Sequence, residues 1–136
     1  MFDFEKLDVY QVVKEQVRKA LTFLKEENSE LDPYIKDQLK KASLKILINL
    51  SEGTGRITRH EKRDYYAMAR SAVFESVSYL DLLVKMEVIP ETVFEDLYDG
   101  YEQCSKMLLA MVRSMQRKPS SDNNSYNNHY QPREEQ

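Results

Sequence analysis

The chain has 136 residues, 41% apolar and 32% charged, with a formal net charge of −3. That length supports about one domain with a real core. Three glycines and four prolines leave few turns for an all-β fold, and a single cysteine excludes an internal disulfide.

No apolar run is long enough to span a membrane. The start, MFDFEKLDVY, is acidic from its third residue and lacks a basic n-region, so no signal peptide is expected. With one cysteine, Cys104, the expected compartment is the reducing cytoplasm.

Apolar residues recurring at steps of three and four predict four helices. The first covers about residues 8–25, with Leu7, Tyr10, Val13, Val17, Ala20 and Leu24 as its stripe and Phe2 and Phe4 folding back before it. The polar stretch 26–32 ends it. Asp32-Pro33 then offers a capping acceptor followed by proline at the first helical position, a strong start signal.

The second helix runs to about Glu52, with Gly53 expected in the left-handed conformation that closes many helices. Its core stripe is Ile35, Leu39, Ala42, Ile46 and Leu50. Leu44, Leu47 and Ile48 point away from that stripe, and Ile48 lies roughly opposite Leu39. A helix apolar nearly all round is buried on more than one side. In a chain this short, the second side is expected to meet another copy.

Thr58-Arg59-His60-Glu61 fits a capping box and opens the third helix, which can continue to about residue 87, roughly 45 Å. Its stripe is Tyr65, Ala69, Ala72, Ser76, Leu80 and Leu83, with small residues that admit a close neighbour. Phe74 and Leu82 lie off it and repeat the apolar surplus of helix two. The fourth helix starts at Pro90-Glu91 and reaches about residue 118, with Phe94, Leu97, Tyr101, Cys104, Leu108, Met111 and Met115 as an unbroken seam. Gly100 weakens it by about 1 kcal/mol without ending it.

Residues 119–136 are Asn/Ser-rich without an aliphatic side chain and are expected to be disordered. The expected fold is all-α: an antiparallel up-down-up-down four-helix bundle over residues 1–118, followed by that tail.

Charge is unevenly spread. Residues 36–70 hold nine Lys/Arg against four Asp/Glu (+5), residues 75–102 one against eight (−7), and residues 106–118 four against none (+4). Such blocks either steer partners and pair between subunits or are simply solvated helix faces. The overall acidity argues against sequence-independent duplex DNA binding.

Lys40, Lys41, Arg56, Arg59, Lys62 and Arg63 flank the corner between helices two and three, the candidate contact for nucleic acid. A helix N-terminus offers free amides to phosphate, although basic residues there oppose the helix dipole and are commonly solvated. Asn49, Glu52 and Arg56 either form a polar cluster at the bundle end or serve the helix terminus while Gly53 and Gly55 make the turn.

Gly53-Thr54-Gly55-Arg56 is not a phosphate-cradling loop, since no strand precedes it and no Gly-Lys-Ser/Thr ends it. Two histidines, His60 and His129, and no Glu-x-x-His pair give no basis for a metal site. Cys104 lies in the helix-four seam, as a core residue would. No cofactor, metal or catalytic activity is expected.

The runs KKASLKILINLSEGTGR and EKRDYYAMARSAVFESVSYL resemble the bacterial four-helix-bundle 23S rRNA intervening-sequence proteins. That family carries Arg-Arg-Ala, then Asn-x-x-Glu-Gly-x-x-Arg, then Ala-Arg-Gly-Ser-x-x-Glu. The matches here are Lys40, Lys41 and Ala42, then Asn49, Glu52, Gly53 and Arg56, then Ala69, Arg70 and Glu75. Leu7-Asp8-Val9-Tyr10 also looks like the family's Leu-x-Val-Trp start, so the likeness covers roughly residues 4–117.

Lys45, Ile46, Leu47 and Ile48 replace the usual Ser-Ile-Pro-Ser, and Ser71-Ala72 stands where Gly-Ser is usual. The resemblance implies a left-handed bundle that assembles as a homopentamer and has no known catalytic residue. More distantly, the chain is similar to the accessory proteins of diversity-generating retroelements, which implies nucleic acid and a reverse transcriptase as partners.

Two functional expectations follow. One is a non-catalytic homo-oligomer, joined through Leu44, Leu47, Ile48, Phe74 and Leu82, presenting a basic rim to RNA or another nucleic acid. The other is a purely structural or protein-binding oligomer whose charge blocks pair with each other.

Overall fold

The computed structural model describes residues 1–26 and 30–117. A 3₁₀ turn (Asp3–Lys6) leads into α1 (Asp8–Glu26), α2 (Pro33–Thr54), α3 (Arg59–Lys85) and α4 (Glu91–Gln116). Each helix runs antiparallel to the next, and α4 returns against α1, closing the expected up-down-up-down bundle. The expected tail, 119–136, and the bundle's end at 118 lie outside the described residues.

The core is the line of Val13, Val17, Ala20 and Leu24 on α1, Leu39, Ile46 and Leu50 on α2, Leu80 and Leu83 on α3, and Leu97, Cys104 and Leu108 on α4. α3 packs more closely on α2 and α4 than α1 does. Small side chains at the α2–α3 contact, Ala42, Ser43 and Gly53 against Ala69, Ala72 and Ser76, permit that approach.

Helix starts follow local chemistry. Asp32 Oδ1 accepts from the backbone amides of Tyr34 at 2.8 Å and Ile35 at 3.2 Å, with Pro33 beside it. Thr58 Oγ1 accepts from the Glu61 amide at 3.0 Å.

The end of α2 differs from expectation. Gly53 is buried and helical, the helix continues to Thr54, and Gly55 caps it at φ −84°, so neither glycine is left-handed. The physical need for Gly53 is space. A Cβ there would lie 2.7 Å from Tyr65 Cβ and 2.9 Å from Tyr66 Cε1. Tyr66 is the core residue, while Tyr65, expected on the core stripe, is half-buried. A helical stripe fixes a direction only to within a flank, and the neighbour at Gly53 decides which tyrosine turns inward.

Among the described residues, Glu87 is the one in the left-handed conformation (φ 64°). Its amide donates to Val84 O at 3.0 Å and that of Val88 to Leu83 O at 3.2 Å, the paired bonds of a Schellman motif ending α3. A side chain in that conformation is strained by about 1 kcal/mol. Glu87→Gly should therefore raise the stability by up to ~1 kcal/mol in urea unfolding. A lower midpoint would show that the Glu87 side chain holds the turn.

Among the described residues, the polar side chains Gln16, Ser43 and Ser76 are buried, as is the Tyr101 hydroxyl. Gln16 Nε2 donates to Leu97 O at 2.8 Å, and a Cβ at Gly100 would collide with the Gln16 carboxamide. Ser43 Oγ lies 2.6 Å from Tyr101 Oη, which also bonds Ser76, so α2, α3 and α4 meet at one level. Ser76 Oγ in turn donates to Ala72 O at 2.9 Å. Buried polar groups with partners in other helices fix the axial register of a bundle.

Candidate basic rim and apolar assembly faces

The antiparallel order puts the start of α3 and the ends of α2 and α4 at the same end of the bundle. Arg56, Arg59, Lys62 and Arg63 gather there, joined by Arg113 and Arg117 of α4. Two of these cations hold helix ends. Arg59 Nη2 donates to Ser114 O at 2.6 Å and Arg117 O at 2.7 Å, and Lys62 Nζ donates to Thr54 O at 2.7 Å. Cations on the last carbonyls of a helix complement its dipole.

Arg56 stacks on Tyr65, 4.4 Å from the ring centroid, and lies 4.0 Å from Glu52 Oε1. Arg63 bonds Asp64 at 2.8 Å and His60 Nδ1 at 3.2 Å. The hydrogen bond from Arg63, more than any other influence, holds the Asp64 carboxyl below its ordinary value.

Lys40 and Lys41 do not belong to this corner. Thirteen residues of helix carry the chain from Lys41 to the end of α2 at Thr54, roughly 20 Å at 1.5 Å per residue, and Arg56 lies just beyond. Lys41 pairs with Asp37 at 3.3 Å and Lys45 with Glu75 at 2.9 Å. Asn49 is half-buried, and no hydrogen bond from it joins the Glu52–Arg56 contact among the described residues. The backbone oxygens at this end of α2 are instead met by Ser51 Oγ (Leu47 O, 3.0 Å) and Thr54 Oγ1 (Leu50 O, 3.1 Å).

The other family-motif residues lie on α3. Arg70 places its guanidinium 4.7 Å from the Phe74 ring centroid, and its buried Nε has no hydrogen-bond partner. Nothing in the local sequence marks that orphan. The carbonyl-binding role of Arg59 was equally hidden, because it depends on α4, remote in the chain, and that of Lys62 depends on how the α2–α3 turn folds back onto Thr54.

Of the residues expected at an interface, Leu44 (42%), Ile48 (50%), Phe74 (55%) and Leu82 (44%) are exposed. Leu47 is half-buried and packs against the core edge, so it belongs to the fold first. Cys104 is buried, and burial pushes its thiol up to about 12, far from a reactive thiolate at neutral pH. Among the described residues no three His, Cys, Asp or Glu side chains converge as metal ligands would, and no helix is long and apolar enough to cross a membrane.

A closed helical bundle with apolar side chains left outside its core, and cations gathered at one end, defines the class. Its family follows: the chain belongs to the 23S rRNA-intervening sequence proteins, whose family model matches residues 5–110. The fold is also similar to the crystal structure of a protein with unknown function from the S23 ribosomal protein family of Bacteroides thetaiotaomicron. That alignment has a TM-score of 0.73 at 18% identity and covers 77% of this chain and 98% of the other. No curated protein matches the chain in sequence.

Proposed function

We propose that this protein is a non-catalytic homo-oligomer that presents its basic ends to RNA or another nucleic acid. The observation that carries the reading is the set Leu44, Ile48, Phe74 and Leu82, exposed although the bundle core is closed without them. Large apolar side chains left outside a closed core supply surface for association. The number of copies, five, is taken from the family resemblance, and a cytoplasmic location suits a lone free cysteine.

The rim supports the second half of the reading. One bundle end carries Arg56, Arg59, Lys62, Arg63, Arg113 and Arg117, too few charges for useful affinity alone. Repetition in an oligomer multiplies them by avidity.

Light scattering on the eluting protein should give a mass several times 16.1 kDa. Binding to labelled single-stranded RNA should weaken about tenfold or more between low and physiological salt, as phosphate contacts require. Replacing Arg56, Arg63 and Arg113 with glutamine, none of which holds a helix carbonyl, should abolish retention and leave the oligomer mass unchanged. An oligomer that ignores RNA at low salt would instead be the scaffold without nucleic acid.

A further inference from the structure

Of the apolar side chains left outside the core, two groups lie on different sides of the bundle. One is a ridge on α2, Leu44 and Ile48, one turn apart and facing away from buried Ile46. The other is the furrow between α3 and α4, where Phe74 borders two hollows of about 310 and 210 Å³. Val77, Tyr98 and Glu102 help wall the first, and Arg70, Leu109 and Val112 the second. α3 stands between ridge and furrow, so a protomer cannot fill its own furrow with its own ridge.

The geometry points to a head-to-tail contact in which the α2 ridge of one copy fills the α3–α4 furrow of the next, with the two bundles parallel and at the same height. This rests on the self-assembly reading above and adds which faces meet and how the assembly closes.

The common level of Ser43, Ser76 and Tyr101 sets the scale. Counting about 1.5 Å per residue toward the basic end, Leu44 lies roughly 1.5 Å below that level and Ile48 roughly 7.5 Å. Phe74 lies about 3 Å below it on α3, and Arg70 about 9 Å. At equal height Leu44 therefore meets the first hollow and Ile48 the second.

Charge follows the same register. Lys40 and Lys41, above Leu44, come level with Tyr98 and Asp99, in the half of the furrow that also carries Asp81, Glu95 and Glu102. Glu52, a turn below Ile48, comes within side-chain reach of Arg70, whose buried Nε finds no acceptor in its own protomer. An acceptor from the neighbour removes the penalty of that unsatisfied donor. Height also decides the outcome of assembly. A head-to-tail contact without rise closes into a ring when its rotation divides a full turn, whereas one with rise grows into a filament.

Two blocked variants test the contact. Leu44→Asp with Ile48→Asp closes the ridge, and Phe74→Lys closes the furrow; all three side chains are exposed, and circular dichroism checks that the helices persist. Each variant alone should run as a monomer of about 16.1 kDa, and an equimolar mixture should give a dimer and nothing larger, since one free ridge and one free furrow remain. Assembly by either variant alone, or a mixture that stays monomeric, overturns this contact while leaving self-assembly standing. A monomeric unmutated protein would overturn the self-assembly reading itself.

Discussion

Gly53→Val should cost about 3 kcal/mol of folding stability and Gly53→Ala about 1–2 kcal/mol, although both replacements raise intrinsic helix propensity. Gly53 sits within α2 against α3, and its missing Cβ is the space that Tyr65 and Tyr66 use. The nearest obstruction, at 2.7 Å, is Tyr65 Cβ. That atom is fixed to the α3 backbone and cannot rotate away, so the helices must separate. Separation would also stretch the 3.2 Å contact between Tyr66 Oη and Thr54 Oγ1 and the Lys62 bond to Thr54 O. Relief of glycine's backbone entropy returns only about 1 kcal/mol. Urea unfolding of the three proteins measures the order Gly, Ala, Val, and an alanine variant more stable than the parent would mean that α3 can yield.

The same position shows how far the sequence could be read. Glycine near a helix end has two physical uses, a left-handed backbone or a close approach, and only the second helix distinguishes them. Helix existence and starts were legible because caps are local: Asp32-Pro33 and Thr58 carry their signal within a few residues. The core stripes were legible because each needs one helix only. Gln16 against Gly100, Arg59 on the carbonyls of α4 and the orphaned Arg70 Nε depend on axial register between helices, which no single-helix periodicity encodes. The split of the basic residues failed for a related reason. Lys40 and Arg56 flank the same stretch of sequence, yet rigid α2 carries them roughly 20 Å apart, while bundle closure brings Arg117 at the end of α4 to Arg59.

Raising the pH from 8 toward 12 should unfold the bundle before general base chemistry does. Burial pushes the Tyr101 hydroxyl up to about 12 from its ordinary value of 10, despite opposing bonds from Ser43 and Ser76. Burial likewise pushes the Cys104 thiol up to about 12 from 9, against smaller opposing effects of a backbone bond and Lys19. Both folded values lie above the unfolded ones, so between pH 9 and 12 the unfolded chain has released protons that the folded chain retains. Stability is then whole below about pH 9 and falls as pH rises, with Cys104 contributing first and Tyr101 from about pH 10. Each pH unit between folded and unfolded values is worth about 1.4 kcal/mol, so the two adjacent groups together remove several kcal/mol. Effects of high pH that do not involve these two groups are common to parent and variant, and a control separates them. The double variant Tyr101→Phe, Cys104→Ala should be less stable at pH 8, through a cavity and a lost bond to Ser43, yet lose markedly less stability on going to pH 11. Equal pH slopes for parent and variant would show that neither buried proton is held by the fold.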